Sequence, residues 1–402
     1  MAIDESMHTT IEWSLNERAR HSRLLALGEP FHGEETFPRL RNELLRVLVD
    51  RDRCRCVALE SDCLAGRLVD DHVRGGSWHL DQVMADGISH GFGASPANRA
   101  LVTWLAEHNR TRPPADQVRF AGFDAPMENS AESGAHSPRA ALDMLHTFLT
   151  ANSATEPHTL PHTWGRIEDL LGDEARWTNP AATMDPAQSI GATAEVRELR
   201  LIADDLGRLL ASRAPRFAED DSAEALRDAE LAARTATGLL AYHAVLARTD
   251  PQERMESCMG IRDAMMAANL LALATRAHDQ GHGPVLTFAH NEHLRRNASR
   301  GAGWSPAGAH LSRVLGPDYV AVATAIGSAP HRDIGEPPAN TVEGLLAATT
   351  STPRLVPLAE LAQLVAAAPD LTRRTTGNRG YFPLDPATLS DFDAVLFLPH
   401  VP

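Results

Sequence analysis

The chain contains no lysine; all 38 of its basic residues are arginine. That absence excludes Schiff-base catalysis, a pyridoxal-phosphate lysine and the lysine of a nucleotide-binding P-loop. Cysteine is scarce, with four in 402 residues. Cys54, Cys56, Cys63 and Cys258 lack the spacing of zinc ligands and read as free thiols in a reducing compartment. No apolar run approaches the length that spans a bilayer. Excess positive charge is missing too: the formal charge is -15, which argues against a nucleic-acid or membrane-surface partner. The start, Met1–Ser6, is polar and acidic rather than a secretory signal. The expected location is the cytoplasm.

What is present is a 43% apolar content, enough for a large core in a chain of α/β type with insertions. Strand-length apolar runs recur at 23–28, 56–60, 118–123, 285–289, 319–326 and 394–398. Several alternate with helix-like segments, which predicts a mainly parallel central sheet flanked by helices. The stretch 193–278 breaks that rhythm, with Val196, Leu199, Ile202, Leu206, Leu209 and Leu210 at helical spacing. The whole chain, 1–402, is expected to be a single domain. An α/β core would comprise 1–127 and 279–402, and a mostly helical insertion, 128–278, would cover the active-site edge.

Four of the expected strands end on residues able to do chemistry. Leu24–Leu27 leads to Glu29 and then His32; Cys56–Leu59 leads to Glu60; Arg119–Phe123 leads to Asp124; Val285–Phe288 leads to His290. In a parallel sheet such ends lie along one edge, where side chains converge. Arg41 adds an independent signal. A helix over 37–48 presents Phe37, Leu40, Leu44, Leu45 and Leu48 on one face, and Arg41 falls on that face. A guanidinium facing the core needs a partner, and Glu29 and Glu60 are the expected ones.

The order of these elements resembles the erythromycin esterase family over most of the chain. Ala26–Gly33 is similar to its GE-x-x-HG signature, followed by the helix with Arg41. Val57–Glu60 with Val73–Gly75, and Leu101–Leu105 with His108, Asn109 and Phe120–Asp124, are similar to its next blocks. Arg262–Asn269 resembles the R-D-x-x-M-x-x-N helix that precedes Ala289–His293. Pro337 to Glu343 and Phe392–Ala394 echo the closing blocks. The resemblance implies that His32 is the general base activating a water, with Glu29 and Glu60 positioning it and holding Arg41. It implies that His290 binds the substrate carbonyl or leaving group. The expected substrate-binding set is His293, Asp124, Phe31, Arg262 and Asn269. Phe31, Glu292, Arg295 and Arg296, and the block His90–Ala94 depart from the family pattern, which moves the expected substrate away from the family's type macrolide.

The chemistry agrees with that implication. Attack of water on an ester needs a base with a pKa near working pH, which suits imidazole, and a carboxylate on its other nitrogen fixes the tautomer. No G-x-S-x-G elbow is present, since Gly303–Ala307 fails at its last position. The reading is therefore a hydrolase acting on an ester or macrolactone of natural-product type, with no cofactor, no metal, no nucleic acid and no membrane. Two alternatives stay open. Glu29, His32, His290 and His293 also suit a metal shell, although an arginine among the carboxylates would neutralise the charge a cation brings. The same base and arginine would equally serve a biosynthetic tailoring enzyme catalysing cyclisation, elimination or acyl transfer.

Overall fold

The computed structural model describes residues 21–51, 54–127, 135–153, 160–217, 223–298 and 303–402. The polar start Met1–Ser6 lies outside them, as do parts of the insertion expected at 128–278. Among the described residues, seven strands form one sheet: β1 (Leu24–Glu29), β2 (Cys56–Asp62), β3 (Arg119–Asp124), β4 (Val285–His290), β5 (Tyr319–Ser328), β6 (Arg354–Pro357) and β7 (Ala394–His400). Their spatial order is β3-β2-β4-β1-β5-β7-β6. Neighbours run parallel, except that β6 is antiparallel to β7.

The strands read as unbroken apolar runs because both faces are covered. Every residue of β1, β2 and β5 is buried. Alternate side chains go to opposite faces. Leu25, Leu27, Val57 and Leu59 pack against α1 (Thr36–Arg51), α2 (Gly66–Val73), α3 (Leu80–Asp86) and α4 (Pro96–Asn109). Leu24, Ala26 and Ala58 face the other layer. After β3 the chain builds α5 (Arg139–Ser153), α6 (Trp164–Leu171), α7 (Ala194–Phe217), α8 (Ala223–Leu246) and α9 (Pro251–Asp279). Leu142, Leu149, Ile167, Leu199, Leu206 and Leu240 give these helices an apolar cluster of their own. Asp250 caps α9, accepting a 2.8 Å hydrogen bond from the Glu253 amide, and Pro251 follows it. Met266, Leu270 and Ala274 return α9 to the sheet, where they join Leu311 of α11 (Ala307–Leu315) and Leu346 of α12 (Val342–Thr349). A short α10 (Asn291–Leu294) follows β4, and α13 (Leu358–Ala366) follows β6.

β4 enters the sheet between β2 and β1, so the ends of β3, β2, β4 and β1 are neighbours. Glu29 is in register with His290, and Asp62 with Asp124. That is the convergence the strand ends foretold. β6 was not anticipated, because a four-residue edge strand ending in proline carries little signal. The four cysteines are free and buried. Among the described residues no helix is long and apolar enough to cross a membrane.

Candidate active site

The loop after β1 sets the first pair. Gly28 leaves room for Asn291, whose amide carbon would lie 3.1 Å from an added Cβ. Gly33 adopts φ 78°, a left-handed conformation that turns the loop back towards α1. His32 Nδ1 donates to Glu29 Oε1 at 2.7 Å, which leaves Nε2 as the basic nitrogen. Its side chain is 40% exposed, whereas that of Glu29 is 6% exposed. Burial raises the Glu29 pKa, partly offset by its bond to His32. For His32, burial pulls the pKa down, but the Glu29 bond and the charges of Glu60 and Glu29 outweigh it, so the net shift is upward. The His32 ring lies between Phe92 and His290, each centred 5.2 Å away.

Glu60 is the hub of the second group. Its Oε1 is 3.1 Å from Arg262 Nη2, 3.4 Å from His293 Nε2 and 3.9 Å from His32 Nε2. Its Oε2 accepts from the His290 amide at 2.8 Å. Against the cost of burial, His293, His32 and Arg262 hold this carboxyl well below the usual range. Arg262 also donates to both oxygens of Asp124, at 3.1 Å through Nε and at 2.6 Å from Nη2 to Oδ2. His90 Nε2 reaches the same carboxylate at 3.0 Å. The backbone of His90 has φ 59°, strained for a non-glycine residue and held by this contact.

His293 donates through Nδ1 to Asp263 Oδ1 at 2.8 Å. Burial disfavours its charge, but Asp263 and Glu60 prevail and lift its pKa to about 9, so it is an imidazolium at neutral pH. His290 is the opposite case. Burial and the neighbouring His32 pull its pKa down to about 4. Its Nδ1 accepts from the Glu292 amide at 3.3 Å and its Nε2 faces the Gly380 carbonyl at 3.2 Å, so the proton sits on Nε2.

The expected partner of Arg41 needs correcting. Arg41 is fully buried, as its helix position required, yet among the described residues no carboxylate makes an ion pair with it. Nε and Nη2 donate to Asn42 Oδ1 and Nη2 also to Asn98 Oδ1, while the guanidinium lies 5.0 Å from the Phe288 ring centre. Arg262, not Arg41, joins the carboxylates, because α9 delivers it from above the sheet edge. Phe31, expected to bind substrate, is buried. It is 2% exposed and packs edge-on against Phe37 at 5.2 Å, with Tyr381 at 6.2 Å. Asn269 stands two turns beyond Arg262, where its amide donates to the Phe123 carbonyl at 3.1 Å and its oxygen accepts from Arg234 at 3.3 Å.

Asp263, His90 and Asn98 were missed as site residues. Asp263 could have been found by the argument that found Arg41, since it falls at a buried register of an amphipathic helix. Arg262 lies between Glu60 and Asp124 and supplies the positive charge there. Among the described residues no group of three or more His, Cys, Asp or Glu is arranged to hold a metal ion.

Comparison with known proteins agrees with this architecture. The family model for erythromycin esterase matches residues 49–401, and the chain belongs to that family. A solved Bacillus cereus protein shares 15% identity over 96% of this chain and 90% of its own, with a TM-score of 0.70. A succinoglycan biosynthesis protein shares 13% identity over 99% and 97%, with a TM-score of 0.68. A mutant of the erythromycin esterase EreC in its open conformation shares 16% identity over 99% and 97%, with a TM-score of 0.67. At these identities the likeness is one of fold. No curated protein sequence matches the chain.

Proposed function

We propose that the protein is a hydrolase that cleaves an ester or lactone of a small natural-product-like molecule by direct attack of water. The observation that carries this reading is the His32–Glu29 pair: a 40% exposed imidazole whose Nδ1 is held by a buried carboxylate at 2.7 Å and whose Nε2, 3.9 Å from Glu60 Oε1, is left as the basic nitrogen. Family membership supports hydrolysis, and the chemistry needs no serine nucleophile.

His32 Nε2 takes a proton from water as it attacks the carbonyl, and Glu29 stabilises the imidazolium that forms. His293, already protonated and 3.4 Å from Glu60, favours the developing oxyanion. His290 donates from Nε2 to the substrate carbonyl once the Gly380 carbonyl gives way, an exchange of one acceptor for another. A cavity of about 340 Å³ beside the end of β2, lined by Asp62, Ser89, Met84, Ile88 and His136, offers room for part of the substrate.

The test is mass spectrometry of a panel of macrolactones and simpler esters incubated with the pure protein, with and without chelator. The expected result is gain of one water, unaffected by chelator and lost in His32→Asn, whose melting temperature stays near that of the wild type. Loss of activity with chelator would point to a metal hydrolase. A product formed without added water would point to a cyclase or transferase.

A further inference from the structure

Behind the His32–Glu29 pair lies a cavity of about 40 Å³, bounded by Glu29, Glu35, Arg41, Glu60, Ser95 and Asn98 on its polar side and by Leu59 and Phe288 on its apolar side. Three of these side chains bring atoms that have no protein partner among the described residues. Glu29 gives Oε1 to His32, and its Oε2 accepts nothing. Arg41 spends Nε and Nη2 on Asn42 and Asn98, and its Nη1 donates to nothing. Glu35 accepts from the Ala97 amide through Oε2 alone. Glu29 and Arg41 are 5% and 0% exposed.

Arg41 is not free to swing onto Glu29. Asn42 is fixed by its own bond to the Ala97 carbonyl at 2.9 Å, and Asn98 by its bond to the Phe92 carbonyl at 2.9 Å. Two oppositely charged groups are thus buried on one small cavity, each with an unused polar atom. Leaving such atoms dry is costly. The space is too small for an organic ligand but holds water, at roughly 10–15 Å³ per molecule with two to four polar partners each.

We propose that this cavity is a water-binding site, and that two or three ordered waters link Glu29 Oε2 to Arg41 Nη1, so that Arg41 acts on the His32–Glu29 pair through water. The waters accept from the guanidinium and donate to the carboxylate, which keeps Glu29 ionised and its Oε1 aimed at His32. Glu60 and Phe92 both line the cavity and flank His32, so the bridging waters are defined by their contacts with Arg41 and Glu29. Arg41 is then a positioning residue. Its effect on turnover rests on the hydrolase reading; the water site does not.

A high-resolution crystal structure of the full chain, with oxygen-17 relaxation dispersion in solution, tests the site directly. The expected result is ordered water within hydrogen-bond reach of both atoms, exchanging slowly. A direct Arg41–Glu29 contact, a bound cation in the cavity or a dry cavity would overturn the proposal whatever the protein hydrolyses. In turnover, Arg41→Met is expected to lower kcat on the order of 10²-fold with KM changed less than about twofold, and Arg41→Lys to recover most of that loss. If folded Arg41→Met kept wild-type kcat, or Lys gave no rescue, the coupling would be wrong even with water present. A protein that hydrolyses no ester but shows the bridging waters would overturn only the hydrolase reading.

Discussion

Asp263 holds His293 through a 2.8 Å bond between Oδ1 and Nδ1, and this contact sets the charge of the site. The same Asp263 oxygen accepts from the Ala307 amide at 2.7 Å, so the carboxylate is anchored from a second side. The other histidine of the HxxH pair, His290, is neutral. Two imidazoles three residues apart therefore carry different charges at one pH, because one faces carboxylates and the other faces a carbonyl and a histidine.

The pH profile follows from that difference. His32 works as a base only when deprotonated, so activity rises with pH through a value above 6.5, its pKa being raised. His293 works only when protonated, so activity falls as pH passes about 9. A bell-shaped kcat/KM profile is expected between those limits. In Asp263→Asn, the Coulombic support for the His293 imidazolium goes, its pKa drops, and the descending limb moves to lower pH. A descending limb unmoved by Asp263→Asn would remove His293 from that role.

Arg262 should dominate stability. It is 4% exposed and pairs with Asp124 and Glu60, which are 0% and 3% exposed. Arg262→Met strips Asp124 of its arginine and leaves Glu60 with His293 as its close cation, a loss of about 3–5 kcal/mol. The pH dependence has a definite sign. In the wild type both carboxyls have lowered pKa values, so their contribution is present above the ordinary carboxylate range and is lost as pH falls through the folded values. In the variant the carboxyls protonate at higher pH, so the gap between the two proteins narrows on acidification. Urea unfolding at pH 7 and near pH 4 measures both quantities.

Much of this site can be read from the chain alone, and the reason is physical. A parallel strand buried on both faces is an unbroken apolar run, so Leu24–Leu27 and Val285–Phe288 announce where they stop, and Glu29 and His290 stand at those stops. Helical spacing likewise shows that Arg41 faces inward. Spacing says nothing about which partner is waiting. Arg262 meets Asp124 from 138 positions away and His290 meets Gly380 from 90. Such pairings are set by how helices and loops pack on the sheet edge, and expecting Arg41 to hold the carboxylates failed at that step. The unexpected φ of His90 belongs to the same class, since it accompanies a tertiary contact with Asp124 from 34 positions away.

The last expectation concerns the loop that carries the base. Arg332 lies on the turn after β5, far along the chain, yet donates to the His32 carbonyl at 2.7 Å and to the Gly33 carbonyl at 3.0 Å. Its guanidinium also sits 5.3 Å from the Phe31 ring centre, so one side chain grips three successive residues of the loop. Beside it His331 bonds Glu34 at 2.9 Å. Neither group touches the reacting atoms, but together they fix where the His32 ring stands over Glu29. Arg332→Ala removes two hydrogen bonds at a part-buried position, so its cost in stability should stay near 1–3 kcal/mol, the sum of two ordinary bonds at about 0.5–1.5 kcal/mol each. Turnover should suffer more, by about tenfold or beyond, because a small displacement of the base weakens its geometry for proton transfer. Steady-state kinetics with calorimetry separates the two effects. A variant that loses stability and activity in proportion would mean that Arg332 braces the fold rather than the base.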